Sequence, residues 1–322
     1  MMESTKIQEV LNEYPTKMID LHYGKILTGI ISKIYVINLQ EDSLKRSYIM
    51  LLFKKLNISF SLVVVKKISD KHFNTLCPES HISRSEAGCT VSHLWCLKNA
   101  IEHEHRNCII FEDDIILKKD FVNYFLELYN PNYDFLLLGA HDYSFAFLNQ
   151  QSMNKDNLYR PHNNSKYLYG AHANVYSLYG AKIMYNLHEF RFSFFDKYYK
   201  EVFSHLKGTA YVCCPNLVVA DISQSAIGHE HELLSKKENE YYKNCFRAFD
   251  FKAYDFVYLG FFINPKNSML PLLHTDSYET FIRRRISEHF NGNNKKIEEI
   301  VNRLSMSFFN IEEACILLNH AK

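Results

Sequence analysis

Glycine is scarce in this chain of 322 residues, and the signatures of several large enzyme classes are missing with it. The ten glycines form neither G-x-G-x-x-G nor G-x-x-x-x-G-K-[ST], which argues against a Rossmann dehydrogenase and a P-loop enzyme. The G-x-S-x-G elbow of serine hydrolases and the H-E-x-x-H helix of zincins are also absent. The chemistry must therefore come from another pattern.

The chain also lacks an excess of one charge, a cysteine framework and long apolar runs. With 37 basic and 36 acidic residues it has no overall field for nucleic acid or an anionic membrane. The eight cysteines include no C-x-x-C pair, which disfavours a zinc knuckle and fits reduced thiols. The start, MMESTKIQEV, lacks the layout of a secretory signal, and no apolar run approaches the roughly 18 residues of a membrane span. We expect a cytoplasmic globular protein with no nucleic-acid partner, no transmembrane segment and at most peripheral membrane contact.

Short apolar strands alternate with helical segments through the first two thirds of the chain. A β-branched run at 34–39 is followed by helical spacing at 46–56, and Ser83-x-x-Glu86 matches a capping box opening a helix that runs to Glu102. Further strands are predicted at 61–66, 108–111, 135–139 and 174–178. This alternation predicts an α/β sheet.

Three regions can be separated by pattern. Residues 1–30 are predicted to form a short helix and a loop, because Gly24 and Gly29 interrupt any periodicity. Residues 31–230 are predicted to be the catalytic domain. Residues 231–322 change to charged, aromatic-rich helical stretches and are predicted to form a helical C-terminal extension.

The most informative local pattern is an apolar strand that runs directly into Glu112, Asp113 and Asp114. Open α/β sheets bind ligands at the carboxyl ends of their strands, and adjacent carboxylates favour a cation. Residues i and i+2 of a strand share a side, so Glu112 and Asp114 are predicted to face one site. Their oxygens suit Mg²⁺ or Mn²⁺ together with a nucleoside diphosphate. The alternative is an exposed acidic turn that caps a helix.

Between residue 34 and about residue 228, the order of motifs resembles glycosyltransferase family 25, which includes lipooligosaccharide sugar transferases and collagen hydroxylysine galactosyltransferases. The resemblance rests on Tyr35-Val36-Ile37-Asn38-Leu39 with Arg46, Ser83 to Cys89 with Ser92-His93, Ile109 to Asp114, Tyr169-Gly170-Ala171 to Gly180-Ala181, Phe195-Asp196, and Cys214-Pro215 to Ser225. Each piece is weak alone, but their order and spacing are specific.

The resemblance implies a GT-A-like fold with a mixed, mainly parallel sheet flanked by helices. It also implies a UDP-sugar donor, commonly UDP-galactose, with Mn²⁺ or Mg²⁺, and transfer with inversion to a glycan, lipooligosaccharide or hydroxylysine-type acceptor. Asp196 is the first candidate for the catalytic base and Asp221 the second. The metal ligands would be Glu112 and Asp114. The donor-binding candidates are Asn38, Leu39, Arg46, Glu86, His93, Glu112, Asp113 and Gly170.

Several of these residues also have a purely structural interpretation. Asn38 could stabilise the turn after its strand, and Glu86 could only cap its helix. His93 could be a satisfied core histidine, and Gly170 a position where the backbone needs glycine.

One position departs from the family. Where the family often has Ser-Asp-Ile, this chain has Ser225-Ala226-Ile227, and Asp221, His229 or His231 would have to substitute for the missing acid. Two rival functions stay open: a relative that binds sugar or nucleotide sugar without turnover, which the missing acid favours, and a metal-dependent phosphohydrolase or nucleotidyltransferase, which would also use clustered aspartates.

Overall fold

The computed structural model describes residues 2–14, 16–78, 82–117, 121–139, 158–159, 170–213 and 217–220. The predicted domain boundary near residue 230, the predicted helical extension 231–322, and Asp221, Ala226, His229 and His231 lie outside the described residues. Those predictions stay predictions.

Helices and strands alternate along the described chain. The helices are α1 (Met2–Glu13), α2 (Ser43–Lys55), α3 (Asp70–Leu76), α4 (Arg84–Glu102), α5 (Phe121–Leu128), α6 (Leu178–Phe190) and α7 (Tyr199–His205), with a 3₁₀ turn at Phe195–Tyr198. The strands are β1 (Thr16–Lys25), β2 (Lys33–Leu39), β3 (Ile58–Val65), β4 (Asn107–Glu112), β5 (Ile115–Leu117), β6 (Phe135–Leu137), β7 (Leu158–Tyr159), β8 (Ala173–Ser177), β9 (Ala210–Cys213) and β10 (Val218–Ala220). The strands predicted from 34, 61, 108, 135 and 174 onward are confirmed within a few residues.

Eight strands form one sheet in the order β1-β3-β2-β4-β8-β6-β9-β7, and β5 and β10 form a separate antiparallel pair. Strands β2, β3, β4, β6 and β9 run in one direction, and β1, β8 and β7 run in the other. The predicted mixed, mainly parallel α/β sheet of the GT-A-like type is therefore confirmed.

The sheet is buried on both faces, which explains its continuous apolar strands. Alternate residues of β2 divide between two cores: Tyr35 and Ile37 pack in the core that contains α1, α4 and α6, while Ile34 and Val36 pack in the core that contains α2 and α5. The same alternation governs β4, where Ile110 belongs to the first core and Phe111 to the second. The face on which a residue lies therefore decides which helices it meets at the end of its strand.

The prediction of a loop after the first helix is wrong, because residues 16–25 form the edge strand β1. This strand pairs antiparallel with β3, from Thr16 opposite Val65 to Lys25 opposite Ile58, with a register shift between Leu21 and Lys25. Gly24 fits here because the chain passes close by: a Cβ at this position would lie 2.2 Å from the Asn57 carbonyl oxygen. The glycine marks a close approach of two strands rather than the end of ordered structure.

The predicted capping box at the start of α4 is confirmed. The Ser83 hydroxyl accepts a hydrogen bond from the Glu86 N–H at 3.2 Å, and the Glu86 carboxylate accepts one from the Ser83 N–H at 2.6 Å. This cap fixes where α4 begins, and so fixes which of its side chains face the end of β4. No helix in the described part of the chain is both long and apolar enough to span a bilayer.

Candidate active site

The carboxyl ends of β2 and β4 lie side by side, with Ile37 opposite Glu112 in a parallel register. Asn38 is fully buried there, and its amide donates hydrogen bonds to the Asp113 carboxylate at 2.7 Å and to the Asp42 carbonyl at 3.1 Å. The structural interpretation of Asn38 is thus confirmed, since it holds the turn after β2. The same amide also fixes one carboxylate of the acidic triplet.

Asp113 and Asp114 converge on one cation, the ammonium group of Lys45. The Lys45 Nζ atom lies 3.5 Å from an oxygen of each carboxylate. The three side chains are only 9%, 12% and 12% exposed, so water screens the charges little. Burial raises the pKa of Asp113, and the charge of Lys45 together with the hydrogen bond from Asn38 offsets part of that rise.

Glu112 and Asp114 have different close partners, and their predicted pairing at one metal site stays a prediction. Strand β4 ends at Glu112, and Asp113 and Asp114 form the turn that leads into β5. Strand alternation no longer applies in a turn, so Asp114 joins Asp113 at Lys45. Glu112 keeps the strand geometry and faces α4.

Glu112 meets two side chains of α4. Its Oε1 atom lies 3.0 Å from His93 Nε2 and 3.4 Å from the Cys89 Sγ, whose thiol donates to it. Burial alone would raise the pKa of Glu112, but the hydrogen bond and charge of His93 outweigh it and bring the pKa to about 2. His93 is fully buried, and its ring is held by the Glu112 carboxylate. It therefore does more than fill the core.

Asp196 and Gly170, both predicted site residues, are brought together. The Gly170 N–H donates to the Asp196 carboxylate at 2.7 Å, and Gly170 has a φ of 127°, a value that favours glycine. Burial raises the pKa of Asp196 to about 6 despite this hydrogen bond, and the negative charges of Glu112 and Glu86 add to the rise. Asp196 is therefore poised to exchange a proton near neutral pH.

A stack of rings fixes the segment that carries Asp196. Phe195 lies between His93, at 4.3 Å between ring centroids, and His188, at 5.3 Å. His188 Nε2 also donates to the Phe195 carbonyl at 2.9 Å, and the Thr90 hydroxyl donates to the Ser193 carbonyl at 2.9 Å. Helices α4 and α6 thereby hold Asp196 in place relative to Glu112.

The remaining predicted residues lie around this centre. Arg46 donates to the Gln40 carbonyl at 3.1 Å, in the turn between β2 and α2, and Leu39 packs against the core. Glu86 caps α4, as its structural interpretation predicts. Its negative charge also helps to raise the pKa of Asp196. Sequence reasoning missed Lys45, for which the only local signal was a basic residue beside Arg46 in the first turn after the Asn38 strand.

Comparison with known proteins identifies a family for the central part of the chain. The family described as glycosyltransferase family 25 (LPS biosynthesis protein) matches residues 31–188. Among curated proteins, none matches the chain significantly. The matched region contains the acidic triplet, Lys45, Cys89, His93 and Gly170, whereas Asp196 lies just beyond its end. On this match, residues 31–188 belong to glycosyltransferase family 25, and the general activity of the chain is glycosyl transfer.

Proposed function

We propose that the chain moves a hexose, with galactose as the first sugar to test, from a UDP-sugar to a hydroxyl of a glycan acceptor, with inversion and with Mn²⁺ or Mg²⁺ as cofactor. The observation that carries the proposal is the convergence of Asp113 and Asp114 on one cation position at the end of β4, together with a base candidate, Asp196, that Gly170 holds through its N–H. The lipopolysaccharide description of the family supports a lipooligosaccharide-type acceptor over a hydroxylysine side chain.

The residues at the turn after β4 fit a hard divalent cation. The Lys45 ammonium group stands where two carboxylates already favour positive charge, at 3.5 Å from each. Mg²⁺ and Mn²⁺ prefer oxygen ligands of this kind and commonly use one or two protein carboxylates, filling the rest of the shell with phosphate oxygens and water. When bound, the cation would neutralise the charge that develops on the diphosphate leaving group.

The chain's own residues have distinct tasks in this proposal. Asn38 holds Asp113 in place through its amide. Lys45 would turn from the carboxylates towards the diphosphate once a cation and donor arrive, so that positive charge stays near the leaving group. Asp196 would take the proton of the acceptor hydroxyl, and a pKa of about 6 lets it do so while it is ionised at neutral pH. Gly170 holds the carboxylate of Asp196 through its N–H.

We also propose that the protein works in the cytoplasm. The described cysteines, Cys77, Cys89, Cys96, Cys108 and Cys213, are all free thiols, which supports a reducing compartment.

The proposal is tested by release of free UDP from a panel of UDP-sugars with Mn²⁺, with Mg²⁺ and with a chelator. The parent chain is compared with Asp114→Ala and with a control, Asp70→Ala, whose side chain is 74% exposed on α3. Metal-dependent release that disappears only in Asp114→Ala supports the proposal and names the sugar. Donor binding without release from any sugar would instead indicate a relative that binds without turnover.

A further inference from the structure

Three side chains of different chemistry meet at the face of β4 that packs against α4. They are the thiol of Cys89, the imidazole of His93 and the carboxylate of Glu112, and one ligand atom from each lies within 4.8 Å of the other two. Cys89 and His93 are four residues apart on α4 and so share one side of the helix. Glu112 meets them because β4 ends there with its last side chain turned towards α4.

The two separations that involve Glu112 are close to those around a small tetrahedral ion. Zinc bonds of about 2.1 Å to nitrogen or oxygen and about 2.3 Å to sulfur place neighbouring ligand atoms roughly 3.4 to 3.6 Å apart. The Glu112 oxygen lies 3.0 Å from the His93 nitrogen and 3.4 Å from the Cys89 sulfur. Side-chain shifts of a few tenths of an ångström would bring both separations to the values for zinc.

The ligand set also matches zinc in charge and in softness. A thiolate and a carboxylate balance the two positive charges of Zn²⁺, and a thiolate with an imidazole selects zinc over Mg²⁺ or Mn²⁺. His93 is fully buried, whereas Cys89 and Glu112 are partly exposed. Three protein ligands with one open position is the arrangement of catalytic rather than structural zinc sites.

We propose that Cys89, His93 and Glu112 form a second metal site, which binds Zn²⁺ and is separate from the oxygen-ligand site of Asp113 and Asp114. On binding, the ion replaces the thiol proton, which is released to solvent. It would fix the positions of Glu112 and His93 next to the Phe195 stack, so an occupied site acts on the segment that carries Asp196. The inference does not depend on the proposed glycosyl transfer.

Cobalt is the probe, because a Co²⁺–thiolate bond absorbs in the near ultraviolet and a Co²⁺–carboxylate bond does not. Metal-free protein is titrated with Co²⁺ for the parent, for Cys89→Ala and for Cys96→Ala, a control that removes a buried thiol from the same helix. We expect one thiolate-bound cobalt per chain in the parent and in Cys96→Ala, and none in Cys89→Ala. Zn²⁺ should abolish the absorption, and excess Mg²⁺ should leave it unchanged.

A second measurement needs no variant. Stoichiometric Zn²⁺ should protect one thiol of the parent from alkylation, and peptide mass spectrometry should identify it as Cys89. The inference is overturned if folded parent protein gives no thiolate absorption, if the absorption persists in Cys89→Ala, or if the protected thiol is another cysteine. Loss of transfer with the cobalt signal intact would count only against the proposed function.

Discussion

Adjacent carboxylates at the end of β4 lie in two different environments. Asp113 and Asp114 face α2 and share the ammonium group of Lys45. Glu112 faces α4 and is held by His93 and Cys89. Hard oxygen ligands thus collect on one side of the sheet, and a mixed sulfur, nitrogen and oxygen set collects on the other.

The difference shows how one strand end can supply two kinds of site. A strand sends successive side chains to opposite faces, and each face of this sheet is covered by a different helix. The turn after Glu112 then adds Asp114 to the α2 side. Changes on the α2 side should therefore alter the response to Mg²⁺ or Mn²⁺, and changes on the α4 side should alter stability and the placement of Asp196.

The largest expected effect is on the α4 side, in Asp196→Asn. The amide can still accept the Gly170 hydrogen bond but cannot take a proton, so we expect kcat to fall by about 10²- to 10⁴-fold. The parent's rate should rise with pH through about 6, the pKa of Asp196, and the residual rate of the variant should lack this step. Initial rates across this pH range, with exposed Glu127→Gln as control, provide the measurement.

The same variant has a predicted stability signature. The pKa of Asp196 is raised in the folded state, so its stabilising contribution is present below the unfolded value of 3.8 and is lost as pH rises through about 6. Asp196→Asn has no such loss, and its Tm relative to the parent should increase over this range. A Tm difference that does not depend on pH would contradict the raised pKa of Asp196 in the folded state.

The α2 side is tested by Lys45→Met. Removing the ammonium group leaves two shielded carboxylates that repel each other, so we expect the metal-free protein to lose about 3 kcal/mol of unfolding free energy. Mn²⁺ should restore this stability and should bind the variant more tightly than the parent, because the competing charge is gone. Calorimetric titration and chemical unfolding with and without Mn²⁺ measure both effects. Lys45→Arg, which keeps the charge, should resemble the parent.

Local rules were enough to predict much of the fold and part of the site. The apolar strands, the capping box at Ser83 and the acidic end of β4 each follow from a short stretch of sequence. Lys45 could not be predicted in the same way, because its partners lie almost 70 residues away and its role depends on how α2 docks. Asp196 was found only through the family resemblance, since a single aspartate after two phenylalanines carries no local signal.

Short sequence patterns reach a limit at two places in this fold. Alternation in a strand predicts side-chain direction only as far as the strand continues, and β4 stops at Glu112. The edge strand β1 was missed because its burial is irregular, and because its partner, β3, lies more than 30 residues further along the chain. Pairings between distant segments are the part of the fold that short patterns do not contain.

Glu112→Gln tests the α4 side without touching Lys45. The amide keeps the size of the side chain but removes the charge that faces buried His93, and we expect a loss of about 1–3 kcal/mol. The pKa of Glu112 is lowered to about 2, so its contribution is present above the unfolded value of 4.5 and is lost as pH falls towards about 2. Unfolding free energies of parent and variant should therefore converge in acid. Mn²⁺ should not restore the unfolding free energy of Glu112→Gln, whereas it should restore that of Lys45→Met.

The smallest expected effect comes from the cap that sets the position of α4. Ser83→Ala removes the acceptor for the Glu86 N–H and should cost about 1 kcal/mol, while Ser83→Asp should retain most of the stability. Ser47→Ala in α2 is the matched control because the Ser47 hydroxyl bonds back to the Ser43 carbonyl within its own helix. Chemical unfolding with amide exchange at residues 84–88 measures the effect. Because α2 is untouched, the affinity of Ser83→Ala for Mn²⁺ should equal that of the parent, and a weakened affinity would mean that the two sides of β4 are mechanically coupled.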